Sequence, residues 1–345
     1  MFPFILSLSI AYSTQVPVSG RGHASNPVWS NTGTKLAYEV NDYAGKIDLY
    51  TIDVADSNPQ GSPVLVKLNV TTSSFSGTSG IVVGDPIWHE QRDGMLFFEA
   101  SYTGVARRIY MTHRNSPPRE MIRDSDVGGD LAWSSLTPDG NSLLFTSDAT
   151  GSGDIYKYEI PTQKISQLTA TDNAEMSPRL HANGSMVYTF KNAGGEDLFL
   201  MENGKLRVLD KADRDQTRPV WSNDKVVYFS NEQGEENWDI YVTDLSGTRK
   251  KLATRVRLPI KGTPALSTDK QWIAYGSEDP EKSGSIWFAK VDGSKTVEYK
   301  SGLVACGEPA IIEANGKILL AFTALPSKGS DWRHLHIQDV TSVLR

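Results

Sequence analysis

His334 and His336 stand two apart, a spacing that puts both rings on one face of a strand and could offer two nitrogens to a metal ion. His89-Glu90 begins like a helical zinc motif, but no second His follows four residues after the first, so that chemistry fails. The acidic run Asp124 to Asp130, DSDVGGD, resembles the start of a calcium loop, yet the twelfth position, where a bidentate Glu is needed, is Ser135. NEQGEENWD, at 231–239, is a candidate for weak binding of calcium or another divalent cation, with a plain solvated loop as the expected reading. No Gly-x-Ser-x-Gly elbow occurs, and GTSG at 77–80 lacks the spacing, so a serine peptidase is not expected. No motif nominates a catalytic residue, and no cofactor is expected beyond such a cation.

Composition narrows the classes further. The 345 residues are 39% hydrophobic, enough for a sizeable core, and carry a formal net charge of -6. A dedicated nucleic-acid binder, which must neutralise phosphates with Lys and Arg, is therefore not expected. The basic cluster Arg249, Lys250, Lys251, Arg255 and Arg257 is local and reads as a solvated strand edge. The single cysteine, Cys306, permits no intrachain disulfide and is expected to be a small buried apolar residue. The start, MFPFILSLSIAYS, has the length and apolarity of a signal peptide, with small residues Ala11 and Ser13 for cleavage, although a basic n-region is lacking. Export to the periplasm or beyond, as a monomer without a transmembrane segment, is the expectation. Residues 1–13 would be the leader, and 14–345 one domain.

The elements that must position any site are short strands. Gly and Pro are frequent, Thr, Ser, Tyr and Val abound, and no stretch keeps an apolar face at helical spacing. The run LTPDGNSLLFTSDATGSGDIYKYEI, at 136–160, recurs in outline. Its first half reappears as PVWSNTGTKLAYEV, PIWHEQRDGMLFFEA, PRLHANGSMVYTFK, PVWSNDKVVYFSN, PALSTDKQWIAYGSE and PAIIEANGKILLAFTA. The anchors of the seven copies are Trp29, Trp88, Leu136, Leu180, Trp221, Leu266 and Ile311. Each copy adds a third run such as DIYVTDL, and most add a fourth such as KISQLTA. Four short strands per unit is the signature of a propeller blade, which cannot bury its faces alone and must stack on its neighbours. The expected fold is thus all-β, a seven-bladed β-propeller with four-stranded blades starting near 26, 85, 133, 177, 218, 263 and 308. The last copy lacks a fourth strand. STQVPVSG, at 13–20, is expected to supply it near Gln15 to Val18 and so close the ring.

The pattern Pro-x-Trp-Ser, turn, hydrophobic strand, Ser-Asp, Gly-rich loop, Asp-Ile-Tyr resembles the repeat of TolB-type, WD40-like (PD40) β-propellers over about residues 13 to 345. That resemblance implies a non-catalytic module for protein interaction or scaffolding at the cell envelope. Two departures are visible: the TolB propeller has six blades, and this chain leaves no room for its separate N-terminal α/β domain. A direct TolB equivalent is therefore not expected.

Within the repeat, Trp29, Trp88 and Trp221 are expected between blades, and Asp48, Asp154, Asp197 and Asp239 are expected to hold the preceding turn. His334 falls where other copies place that Asp, which favours a structural role for it. The residues just before each first strand differ from copy to copy and should ring the channel mouth: Asn26, Asp85, Trp133, Ser177, Arg218, Thr263 and Glu308, with Asp130 and Glu175 nearby. They form a candidate polar funnel for a peptide segment of a protein partner, or for a cation; a water-filled mouth is the competing reading. An enzyme of the other class, a metal-dependent polysaccharide or oligogalacturonide lyase, would need converging His residues. The six His, at 23, 89, 113, 181, 334 and 336, do not place three at equivalent strand positions.

Overall fold

A computed structural model describes residues 13–17, 21–68 and 80–345. The expected leader lies outside these residues except for Ser13, and so does much of the polar insertion of the first repeat. Strands dominate, and the one helix among the described residues is the single turn Thr341–Leu344. No helix of the described residues is long and apolar enough to cross a membrane.

The strands pair as antiparallel meanders, giving seven four-stranded units whose first strands are His23–Trp29, Val82–Trp88, Leu131–Leu136, Glu175–Leu180, Gln216–Ser222, Ala265–Leu266 and Val304–Ala314. A single parallel bridge, Ile47 to Val82, joins the first two units into one sheet. The seventh unit takes its outer strand from the other end of the chain: Thr14 pairs with Ile337 and Gln15 with His336. The Val16 amide then donates to the Leu335 carbonyl at 2.8 Å.

Second strands are continuous apolar runs, as Ser142–Ser147 shows by being buried at every position, because both faces of each unit are covered. Outer strands such as Asn58–Leu65, which carries part of the polar insertion, are largely exposed. The apolar residues gather into clusters that each join two successive units. Leu96, Trp88 and Val83 of the second pack with Leu49 and Ala37 of the first. Tyr228 and Trp221 of the fifth pack with Leu200 and Val187 of the fourth. The series does not stop at the chain ends: Trp29 and Leu36 of the first unit share a cluster with Ile312, Leu335 and Ile337 of the seventh, and Val16 lies in it.

The three tryptophan anchors are buried between units, as expected, and each also ties them by a hydrogen bond. The indole N–H of Trp88 reaches the Val28 carbonyl at 3.0 Å, that of Trp221 the Arg179 carbonyl at 2.9 Å, and that of Trp29 the Ala310 carbonyl at 3.2 Å. The repeated aspartates have more partners than expected. Asp154 accepts from the Thr150 hydroxyl and Asp197 from the Asn192 side chain at 2.6 Å, both in the preceding turn, but Asp154 also accepts from the Thr171 amide and Asp239 from the Arg255 amide, both at 3.0 Å, so they hold the segment leaving the fourth strand as well. That segment must turn back toward the next unit, and its N–H groups have left the ladder and need acceptors.

Candidate functional site

The residues expected just before the first strands lie inside them, with one exception. Asn26, Asp85, Trp133, Ser177, Arg218 and Glu308 all have left-handed backbone, φ between 46° and 58°, and each sits where the pairing of first and second strands slips. A bulge of this kind bends the strand and re-aims its side chain. Proline follows five of the six, which a sheet tolerates because the first strand is an edge and the bulge leaves the ladder. The sixth unit departs: its first strand is only Ala265–Leu266, Thr263 precedes it, and the left-handed residue is Gly262. Recurrence at six equivalent positions makes the bulge a device of the fold.

These bulges bring together groups from different units, some of them not neighbours. The Arg218 guanidinium of the fifth unit lies 5.9 Å from the ring centre of Trp133 in the third. Glu308 of the seventh accepts from the Asn26 amide of the first at 2.6 Å. The segment 257–262, between the fifth and sixth units, runs among them. Arg218 donates to the Pro259 carbonyl at 2.7 Å, and Lys261 reaches the second unit to pair with Asp85 at 2.8 Å. Two candidates are not brought to this cluster. Asp130 is exposed and accepts from the Arg107 amide at 2.7 Å. Glu175 is fully buried and accepts from the hydroxyls of Thr169 and Thr171, both at 2.7 Å. Ser177 is buried in its bulge.

Sequence reasoning missed two members. Glu39 and Glu99 sit at the same position of the second strands KLAYEVN and MLFFEASY, where Thr146, Thr189 and Thr323 stand in other units. A Glu within an otherwise apolar run was the available signal. Both are almost wholly buried and turn toward the following unit's bulge: Glu39 accepts from the Asp85 amide at 2.7 Å and Glu99 from the Ser134 amide at 2.9 Å. Asn26 also donates its side-chain N–H to Glu39 at 2.8 Å. Burial raises the Glu39 carboxyl to about 7, with Lys261 opposing, and raises Glu99 to about 8, with Asp85 adding to the rise. Glu308 is raised as well, chiefly by burial, while burial lowers Arg179 to about 10 against the pull of Glu99.

A pH dependence follows. The folded chain keeps protons on Glu39 and Glu99 over a range in which the unfolded chain, with carboxyls near 4.5, has released them. Their contribution to stability therefore falls as pH rises from about 4.5 through about 8. His336, lowered to about 4 by burial, acts in the opposite sense but only below about 6.5. Between pH 6.5 and 8.5 the fold should lose about 2 to 3 kcal/mol, at roughly 1.4 kcal/mol per pKa unit, and Glu99→Gln should flatten most of the loss. Urea unfolding across that range checks both; a Glu99→Gln slope equal to wild type would be the contrary result.

The metal candidates have other employment. His336 is buried and stacked on Phe322, whereas His334 meets the Gln15 side chain at 3.3 Å. His89 is buried and accepts from the Gln91 amide at 3.0 Å. In the acidic run 231–239, Glu232 pairs with Arg249 at 2.7 Å and Asp239 with Lys251 at 2.6 Å, so the basic cluster and the acidic loop largely neutralise each other. Among the described residues no three His, Cys, Asp or Glu form a group able to hold a metal ion. Cys306 is fully buried beside Ser301, as expected.

Antiparallel four-stranded units stacked through successive shared cores define a β-propeller. Solved structures give the kind: the fold is TolB-like. TolB from Acinetobacter baumannii is similar at 18% identity over 81% of this chain and 67% of that one, with a TM-score of 0.58. An oligogalacturonate lyase in complex with manganese is 12% identical over 94% of this chain and 91% of its own, with a TM-score of 0.61. A puromycin hydrolase S511A mutant complexed with PGG, 13% identical with a TM-score of 0.65, matches 96% of this chain, which spans only 55% of that protein. No protein-family model and no curated protein matches the sequence.

Proposed function

We propose that the chain is a seven-bladed propeller, closed by its N-terminal strand, that acts outside the cytoplasm as a non-catalytic binding module and takes a peptide segment of a protein partner at its channel mouth. The seven shared cores, including the one between first and seventh units, support the blade count and the closure. The observation that carries the binding role is the segment 257–262. Side chains of several units already hold an irregular stretch of polypeptide there, by a carbonyl at Arg218 and an ammonium at Asp85. The apolar start of the sequence and the likeness to TolB support the envelope location.

Arg218→Ala should weaken the partner by roughly 2 to 5 kcal/mol, the cost of truncating one member of a buried charged contact, while the melting temperature moves little. A partner captured from envelope extract allows the comparison of wild type, Arg218→Ala and an Asp85/Glu308 double alanine variant. Unchanged affinities with folded proteins would reject the mouth as the site. The near end-to-end match to the lyase favours a second reading, an enzyme working on the same face. Its donor set fits less well, because His336 and His89 are buried among side chains and His334 lies on the outer edge. Stoichiometric manganese or zinc in protein purified without chelator would favour that enzyme.

A further inference from the structure

Two carboxyl groups of the first two units meet one cation, and a third acts on it from farther away. Lys261 Nζ lies 2.8 Å from Asp85 Oδ2 and 3.8 Å from Glu39 Oε1, and the charge of Glu99 also acts on it. Glu39 and Glu99 are 1% and 2% exposed, and burial favours the protonated form of both, so Asp85 is the charge that Lys261 meets most directly. Among the described residues Glu99 Oε2 has no hydrogen-bond donor; Arg107 stands 3.5 Å away, and Glu99 also acts on the charges of Lys261 and Arg179. A buried carboxyl oxygen left without a donor is costly. Beside Glu39 a glycine leaves space: a Cβ on Gly84 would fall 2.6 Å from Glu39 Oε1 and 3.1 Å from Lys261 Nζ. A side chain there would displace the Glu39 carboxyl and crowd the cation.

The cation arrives on a connecting segment. The segment 257–262 belongs to neither flanking strand, and its tip residue, Ile260, is 49% exposed. Its start is tied down by the Arg257 amide on the Gly276 carbonyl at 2.8 Å and by Leu258 packed on a core, whereas its tip is held by Arg218 at the Pro259 and Ile260 carbonyls. We propose that the pocket of Glu39, Asp85 and Glu99 is a binding site for a lysine side chain presented on a peptide, and that Lys261 is its internal occupant, displaced when a partner enters. This rests on the peptide-binding reading above and names the ligand class. An ammonium suits the pocket because it has three donors on a small head, where a guanidinium would need a flat slot.

The test uses the full chain with Lys261→Met and two probes, acetyl-Leu-Pro-Ile-Lys-Gly-amide and the same peptide with norleucine for lysine. In calorimetry the variant should bind the lysine peptide at least tenfold more tightly than wild type does, and at least tenfold more tightly than it binds the norleucine peptide. Adding Asp85→Asn should abolish that preference. A folded Lys261→Met protein that binds both peptides equally, or neither, overturns the proposal. Should the variant not fold, amide exchange of wild type decides. Saturating lysine peptide should speed exchange in 257–262 at least tenfold and the norleucine peptide should not; equal or absent effects overturn it. If the pocket shows no preference while partner capture still depends on Arg218, the ligand class is wrong and the peptide-binding role stands. If the preference holds and capture ignores Arg218, the reverse is true.

Discussion

A chain begun at residue 26 should be less stable than one begun at residue 14 by about 4 kcal/mol or more. The shorter chain loses Val16 and Ala24 from the core shared by first and seventh units, a burial contribution of roughly 1 to 3 kcal/mol. It also loses the bonds from the Val16 amide to Leu335 and from the Ala24 amide to Arg333, at 2.8 and 3.0 Å, each contributing about 1 kcal/mol. The strand His334–Asp339 would then present an unpaired edge. Thermal melts of the two chains measure the difference. Equal midpoints would mean that the N-terminal strand does not close the ring.

Trp221→Ala should cost about 3 to 5 kcal/mol, the usual range for removing a large buried aromatic. Trp221 is 6% exposed, packs among Leu200, Val187 and Tyr228, and lies 4.7 Å from the His181 ring. Its loss leaves a cavity between the fourth and fifth units and strips the Arg179 carbonyl of its donor. Trp221→Phe keeps most of the apolar area and should cost less. Urea unfolding of both variants checks this, and an alanine variant within about 0.5 kcal/mol of wild type would show that the indole contributes little at that interface.

The fold was legible because a repeated unit states its strands seven times. Pro-x-Trp, the turn and the second run each define a strand, and Trp29, Trp88 and Trp221 lie where the repeat puts them. Aligning the copies also picked out the six left-handed positions, although it placed them before the strands, since a bulge leaves no mark in hydrophobic periodicity. The site was less legible. Asn26, Asp85, Arg218 and Glu308 belong to the charged cluster, but Glu175 and Asp130 serve their own loops. Glu39 and Glu99 were hidden inside apolar runs, and Lys261 lies in a connection whose path depends on units far away in sequence. Long-range charge pairing of that sort is a property of the assembled fold, and no window of sequence contains it.

The indole bonds differ greatly in the length of chain they span. Trp88 and Trp221 reach carbonyls 60 and 42 residues away, whereas Trp29 reaches one 281 residues away. Closing a longer loop costs more entropy and slows folding, so neighbouring units can zip together along the chain while the seam between first and last waits for all of them. Each of these tryptophans also changes from wet to dry when its own interface forms. The molecule thus carries clocks at three of its joints, and the one at Trp29 should strike last.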